Sequence, residues 1–133
     1  MKKVAIVQGS RSDNAYGDAT AQVLDEHGVP YDRFVISAHR DPKRLEEFCR
    51  TAGEKYGVVI AIAGLSAALP GAIASRTKIP VIGVPVDAGP LNGIDALLSI
   101  AQMPSGIPVA CMGIGKSGAK NAAYLAIRIL GVR

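Results

Sequence analysis

Residues 58–63 read Val58-Val59-Ile60-Ala61-Ile62-Ala63, six apolar residues in succession. A strand with one face in water alternates apolar and polar residues, whereas a strand covered on both faces is apolar throughout. Four more short runs of this kind lie around it: Val4–Val7, Phe34–Ile36, Val81–Val84 and Ile107–Met112. The segments between them carry helical periodicity. Leu45, Phe48, Cys49 and Ala52 stand at i, i+3, i+4 and i+7, as do Ile94, Leu97, Leu98 and Ala101, and then Ala122, Leu125, Ala126 and Ile129. That spacing describes a helix with one apolar face turned to a core. Asp41-Pro42 reads as an N-cap followed by proline at the first helical position. Gly28 is placed to close the first helix and Gly131 the last. A β-α unit repeated five times predicts a three-layer α/β domain with a five-stranded parallel sheet. The common order for such a sheet is 2-1-3-4-5, which puts ligands at the carboxyl ends of the strands, where the chain reverses direction between strands 1 and 3.

Composition agrees with one domain over residues 1–133. The chain is 49% hydrophobic and 20% charged, and a domain of this length buries about two thirds of the surface its unfolded chain exposes. Enough apolar surface is present to exclude a disordered chain. No apolar run approaches the roughly 18 residues that span a bilayer, and the run after Met1 stops at Gln8, too short for a secretory signal. Two cysteines, Cys49 and Cys111, make neither a disulfide framework nor a metal cluster. Both fall on apolar patterns and are expected as small core residues. With no Trp, two Phe and four Tyr, the chain lacks the aromatic surface on which nucleic-acid bases stack. The expectation is a protein of the reducing cytoplasm that binds neither membrane nor nucleic acid and holds no metal.

The net charge of +4 arises after Asp95, where Lys116, Lys120, Arg128 and Arg133 meet no acid. Such an excess suits either an anion site or ordinary solvated helix charges.

Three loops lie at the predicted ligand end. The first is Gly9-Ser10-Arg11-Ser12-Asp13. Gly9 permits a tight turn, amides at a helix start can hold a phosphate, and the Ser10 and Ser12 hydroxyls add donors. Asp13 can cap the helix or accept from ribose hydroxyls. The second loop, Ser37-Ala38-His39-Arg40-Asp41-Pro42, holds one of two histidines. An imidazole titrates near neutrality, and the arginine beside it suits a phosphate or carboxylate. His27, before Gly28, reads instead as a cationic partner for a helix end. In the third loop, Gly64 to Gly71, small residues let a ligand approach the backbone. Gly64, Ser66, Ala67 and Leu69 are the candidate contacts there. A fourth loop, Pro85–Gly93, shows no pattern and is expected to be mobile or to form an interface. Gly113-Ile114-Gly115-Lys116-Ser117-Gly118 spells a dinucleotide fingerprint, but it lies in the last unit and no acid follows it to hold a ribose. It remains a candidate anion or subunit-contact element.

Taken in order, GSRSD, SAHRDP, AALPG, PVIGVPV, LNGIDALLSIAQMPSGIPV and GIGKSGAKNAAYLA resemble the N5-carboxyaminoimidazole ribonucleotide mutase family, the small-subunit type of phosphoribosylaminoimidazole carboxylase. The resemblance covers nearly the whole chain. It implies a flavodoxin-like fold, a homo-octamer, and a step of purine biosynthesis run without cofactor or metal on a small ribonucleotide and carbon dioxide. It implies that Ser10 and Asp13 bind the ribose and phosphate side and that Arg40 binds the phosphate. His39 would be the general acid/base. Ser37, Ala38 and Gly64 would line the ring and carboxylate pocket. The third loop departs from the bacterial form of the family, which reads GGAAHLPG where this chain reads GLSAALPG. Ala68 thus stands where a second histidine is expected. The animal-type branch, which carboxylates the unmodified ribonucleotide with carbon dioxide, has a serine in this region, so direct carboxylation is the alternative reaction. A non-catalytic nucleotide-binding module on the same fold is the other alternative. The chain ends at Arg133, where many members of the family continue into a further helix that packs on a neighbouring subunit.

Overall fold

A computed structural model describes residues 2–131. Its five strands are β1 (Lys3–Gln8), β2 (Tyr31–Val35), β3 (Tyr56–Ala63), β4 (Val81–Pro85) and β5 (Ala110–Cys111). The helices are α1 (Asn14–Glu26), α2 (Pro42–Lys55), α3 (Leu69–Ala74), α4 (Ile94–Ala101) and α5 (Lys116–Gly131). The sheet is parallel, with order β2-β1-β3-β4-β5. This is the three-layer arrangement the apolar runs predict and the flavodoxin-like fold the resemblance implies.

The reason lies in the three inner strands. Val4, Ile6, Val58, Ile60, Ile62, Ile82 and Val84 pack against α1 and α5 on one face. Ala5, Val7, Val59, Ala61, Ala63 and Val81 pack against α2, α3 and α4 on the other. Both sets of alternating residues are therefore buried, and continuous apolar sequence is the result.

The edges depart from expectation. β2 begins at Tyr31, not Phe34, and Ile36 follows its last residue. Asp32 and Arg33 hide the strand from a hydrophobicity reading. They are tolerated because an edge strand leaves polar groups partners: Tyr56 Oη donates to Asp32 Oδ2 at 2.7 Å and Arg33 Nη1 to Asp18 Oδ1 at 2.8 Å. At the other edge only Ala110 and Cys111 of the expected run 107–112 are strand. Pro108 has no N–H to offer a ladder. Cys111 is consequently half-buried on this edge, whereas Cys49 lies in the core as expected.

The largest correction concerns α4. Its apolar stripe faces outward: Ile94 and Leu98 are exposed, Leu98 by 53%. Ala96 and Ile100 face the sheet instead. Of the capping expectations, Gly28 does close α1 with a left-handed φ of +66°. The segment beyond Gly131 lies outside the described residues. Asp41 occupies the N-cap position of α2, but its carboxylate makes no cap bond.

Candidate active site

The reversal between β1 and β3 leaves a cleft beyond their carboxyl ends. There a cavity of about 330 Å³ is lined by residues from three loops and by Ala88 of a fourth. Gly9, Ser10, Ser12, Asp13, Ser37, Ala38, His39, Arg40, Gly64, Ser66, Ala67 and Leu69 all line it. The size suits a small-molecule ligand. Ala68, which stands where the family has a second histidine, lines it too, while Ala63, Leu65 and Ala88 complete the wall and are not among the sequence candidates. Ala88 carries no sequence signal, because only the folding of the β4–α4 loop brings it there.

The first loop leaves β1 with the Gly9 amide donating to Ile62 O at 2.9 Å. Ser10 is extended and starts a single 3-10 turn, Arg11–Asp13, that precedes α1. Its Oγ accepts from the Ser12 amide at 3.2 Å and from Ser12 Oγ at 2.9 Å. Asp13 sits at the N-cap position of α1 without capping it, so the capping role is excluded and the carboxyl is left to the cavity. Burial raises the Asp13 pKa, and the Ser10 backbone amide offsets part of that rise.

The second loop is closed on itself. Asp41 Oδ2 accepts from the Ser37 amide at 3.1 Å, Ser37 Oγ accepts from the Arg40 amide at 3.1 Å, and the Asp41 amide donates to Ser37 O at 2.8 Å. With Asp41 holding the turn, the side chains of His39 and Arg40 stay exposed at the cavity mouth. The imidazole is thus open to a substrate, and the guanidinium is free to meet an anion.

The third loop is tightly packed from behind. A Cβ on Gly64 would lie 3.3 Å from Val86 Cβ, so this position has little room for a side chain. Leu65 adopts a left-handed φ of +55°, and its exposed side chain lies over Gly89. Ala68 is at the mouth, exposed. The fourth loop is tethered: Tyr16 Oη donates to Asp87 Oδ1. That bond pushes the Tyr16 pKa up to about 12.

Other candidates lie elsewhere. Gly113–Gly118 forms the turn into α5 and lines no part of the cavity. Lys116, Lys120 and Arg128 are exposed on α5 and absent from the cavity wall, as solvated helix charges would be. Arg133 is outside the described residues. His27 Nδ1 lies 2.8 Å from Val23 O at the end of α1. A larger cavity of about 670 Å³ opens at the opposite end of the sheet, lined by Ala74 to Ile82 and Gly106 to Pro108. Among the described residues that line it there is no histidine or carboxylate.

Fold and cleft together define a flavodoxin-like domain with a histidine and an arginine exposed at the switch point. Comparison with known proteins narrows this. The family model described as AIR carboxylase matches residues 3–133. A Pyrococcus abyssi protein named N5-carboxyaminoimidazole ribonucleotide mutase is 54% identical over all of this chain and 76% of its own length. A Saccharolobus solfataricus protein of the same name is 50% identical over all of this chain and 84% of its own length. The crystal structure of Treponema denticola PurE superposes with a TM-score of 0.88 at 31% identity, covering 98% of this chain and 81% of that one. The chain belongs to the AIR carboxylase family.

Proposed function

We propose that the protein is an N5-carboxyaminoimidazole ribonucleotide mutase, an isomerase of purine biosynthesis. It moves a carboxylate from the exocyclic nitrogen of the substrate to the neighbouring ring carbon. The observation that carries this reading is the convergence of the GSRSD, SAHRDP and AALPG loops on one cleft, in a chain half identical to proteins of that name.

The chemistry follows from the side chains present. The N-carboxylate leaves as carbon dioxide, and His39 gives the nitrogen a proton. The enamine-like ring carbon attacks the trapped carbon dioxide, and His39 removes the proton left on that carbon. Positioned proton transfer of this kind contributes about 10²–10⁴-fold. Holding carbon dioxide beside the ring adds a proximity term. The small apolar wall at Ala67 and Ala68 keeps water from the trapped gas. Ser10, Ser12 and Asp13 hold the ribose and phosphate side, and Arg40 the phosphate. Ser66 can donate to a carboxylate in place of the imidazole that Ala68 lacks. No cofactor or metal enters these steps.

Assembly belongs to the same proposal. Leu65, Leu91, Ile94 and Leu98 are exposed around the β4–α4 loop. An apolar patch of this kind is covered in a closed homo-oligomer, an octamer by family resemblance, working in the cytoplasm. The deciding experiment assays turnover of both ribonucleotides with and without excess bicarbonate. The mutase turns over the N5-carboxylated substrate without added bicarbonate. Turnover of aminoimidazole ribonucleotide alone, at a rate proportional to dissolved carbon dioxide, would establish direct carboxylation instead.

A further inference from the structure

Gln8, the last residue of β1, is only 1% exposed, and no step above uses it. A buried amide without partners costs about 1–3 kcal/mol, so its bonds define its role. Gln8 Nε2 donates to Asn14 Oδ1 at 2.7 Å and to Ser10 O at 3.3 Å. Its Oε1 accepts from Arg33 Nη2 at 2.7 Å. Arg33 in turn donates to Asp18 Oδ1 at 2.8 Å and reaches Asn14 O at 3.5 Å. The amide thus ties both ends of the Gly9–Asp13 loop to β2.

A second observation is independent of these bonds. Gly17 lies inside α1, where glycine costs about 1 kcal/mol relative to alanine. A Cβ there would overlap Gln8 Oε1 and lie 2.5 Å from Arg33 Nη2. The helix leaves out a methyl group where the Gln8–Arg33 pair sits.

We propose that Gln8 and Arg33 form a positioning unit that sets the Gly9–Asp13 loop in its ligand-holding shape before substrate arrives. The inference rests on the reading of that loop as the ribose-phosphate side. The Arg33–Asp18 ion pair contributes little by itself, since Asp18 is exposed and such pairs are weak in water. The coupling runs through the uncharged amide. A loop held in one shape loses less freedom on binding, so the unit acts on affinity and not on the chemical step.

The test compares Gln8→Met, Arg33→Met and Ser10→Ala in the full chain. It measures KM and kcat with the ribonucleotide, the inhibition constant of ribose 5-phosphate, and the melting temperature. Gln8→Met and Arg33→Met are each expected to raise KM and the inhibition constant about tenfold, the equivalent of about 1.4 kcal/mol, with kcat within twofold. Arg33 is partly exposed, so Arg33→Met alone decides if Gln8→Met does not fold. Unchanged KM and inhibition constant in a folded variant overturn the proposal. So does a fall in kcat and melting temperature at constant KM, which would mark a purely structural role. If Ser10→Ala weakens ribose 5-phosphate and the other two do not, this inference alone fails. If Ser10→Ala has no effect, the reading of the loop fails and takes the inference with it.

Discussion

Replacing Asp13 by asparagine is expected to make the protein more stable at pH 7 and worse at binding its ribonucleotide. Asp13 is 6% exposed. Among the described residues no cation lies within ion-pair distance of it, and it caps nothing. Burial therefore raises its pKa above the ordinary value of 3.8. The sign follows from linkage. As pH rises from below 3.8, the unfolded chain gives up this proton first, so the folded state binds more protons and stability falls through the window. Above the folded pKa the penalty is constant. Asparagine, which does not ionise, removes it. Single stabilising substitutions are commonly worth about 1 kcal/mol. An unfolding entropy of about 2.1 cal/mol/K per residue over 133 residues makes that a rise of about 3–4 °C in Tm. Thermal melts of both proteins at pH 7 and pH 4 check it, with ribonucleotide affinity measured alongside. The gain is expected at pH 7 and should shrink at pH 4, where less of the carboxyl is ionised. An equal gain at both values, or a loss at pH 7, refutes the idea that a buried charge is the source.

His39→Asn should leave the fold and ribonucleotide binding intact while turnover falls by about two to four orders of magnitude; steady-state kinetics with a direct binding measurement checks both halves. Arg40→Ala should weaken ribonucleotide binding far more than binding of a base-only analogue, and equal losses would show that Arg40 does not read the phosphate. Gly83→Ala places a Cβ that overlaps Ile100 and lies 3.2 Å from Pro70. Overpacking there is expected to destabilise by about 1–3 kcal/mol, seen as a lower denaturant midpoint.

What the sequence discloses depends on where a residue's neighbours come from. β1, β3 and β4 are legible because their burial on both faces is written as unbroken apolar runs. β2 is obscured by Asp32 and Arg33, whose partners Tyr56 and Asp18 are distant along the chain. The α4 stripe is visible, but periodicity reports that one face is apolar, not what covers it, and here Ile94 and Leu98 face away from the sheet. Three of the four loops around the cavity can be located from strand order alone. Ala88 cannot, since it arrives through a loop with no pattern. Nor can the Gln8–Arg33 bond, which joins residues 25 apart through a space that Gly17 leaves open.

The brevity of β5 has a consequence for how copies of the chain can meet. A long, flat, unpaired strand edge is a template on which another chain can add by backbone pairing. Here one margin of the sheet offers two paired residues, Ala110 and Cys111, preceded by Pro108. The opposite margin carries Asp32 and Arg33, and Arg44 Nη1 donates to the Val35 carbonyl at 2.9 Å. Neither margin invites edge-to-edge extension. Backbone pairing between copies is disfavoured at both margins, which leaves helix and loop surfaces as the places where side-chain contacts between copies can form.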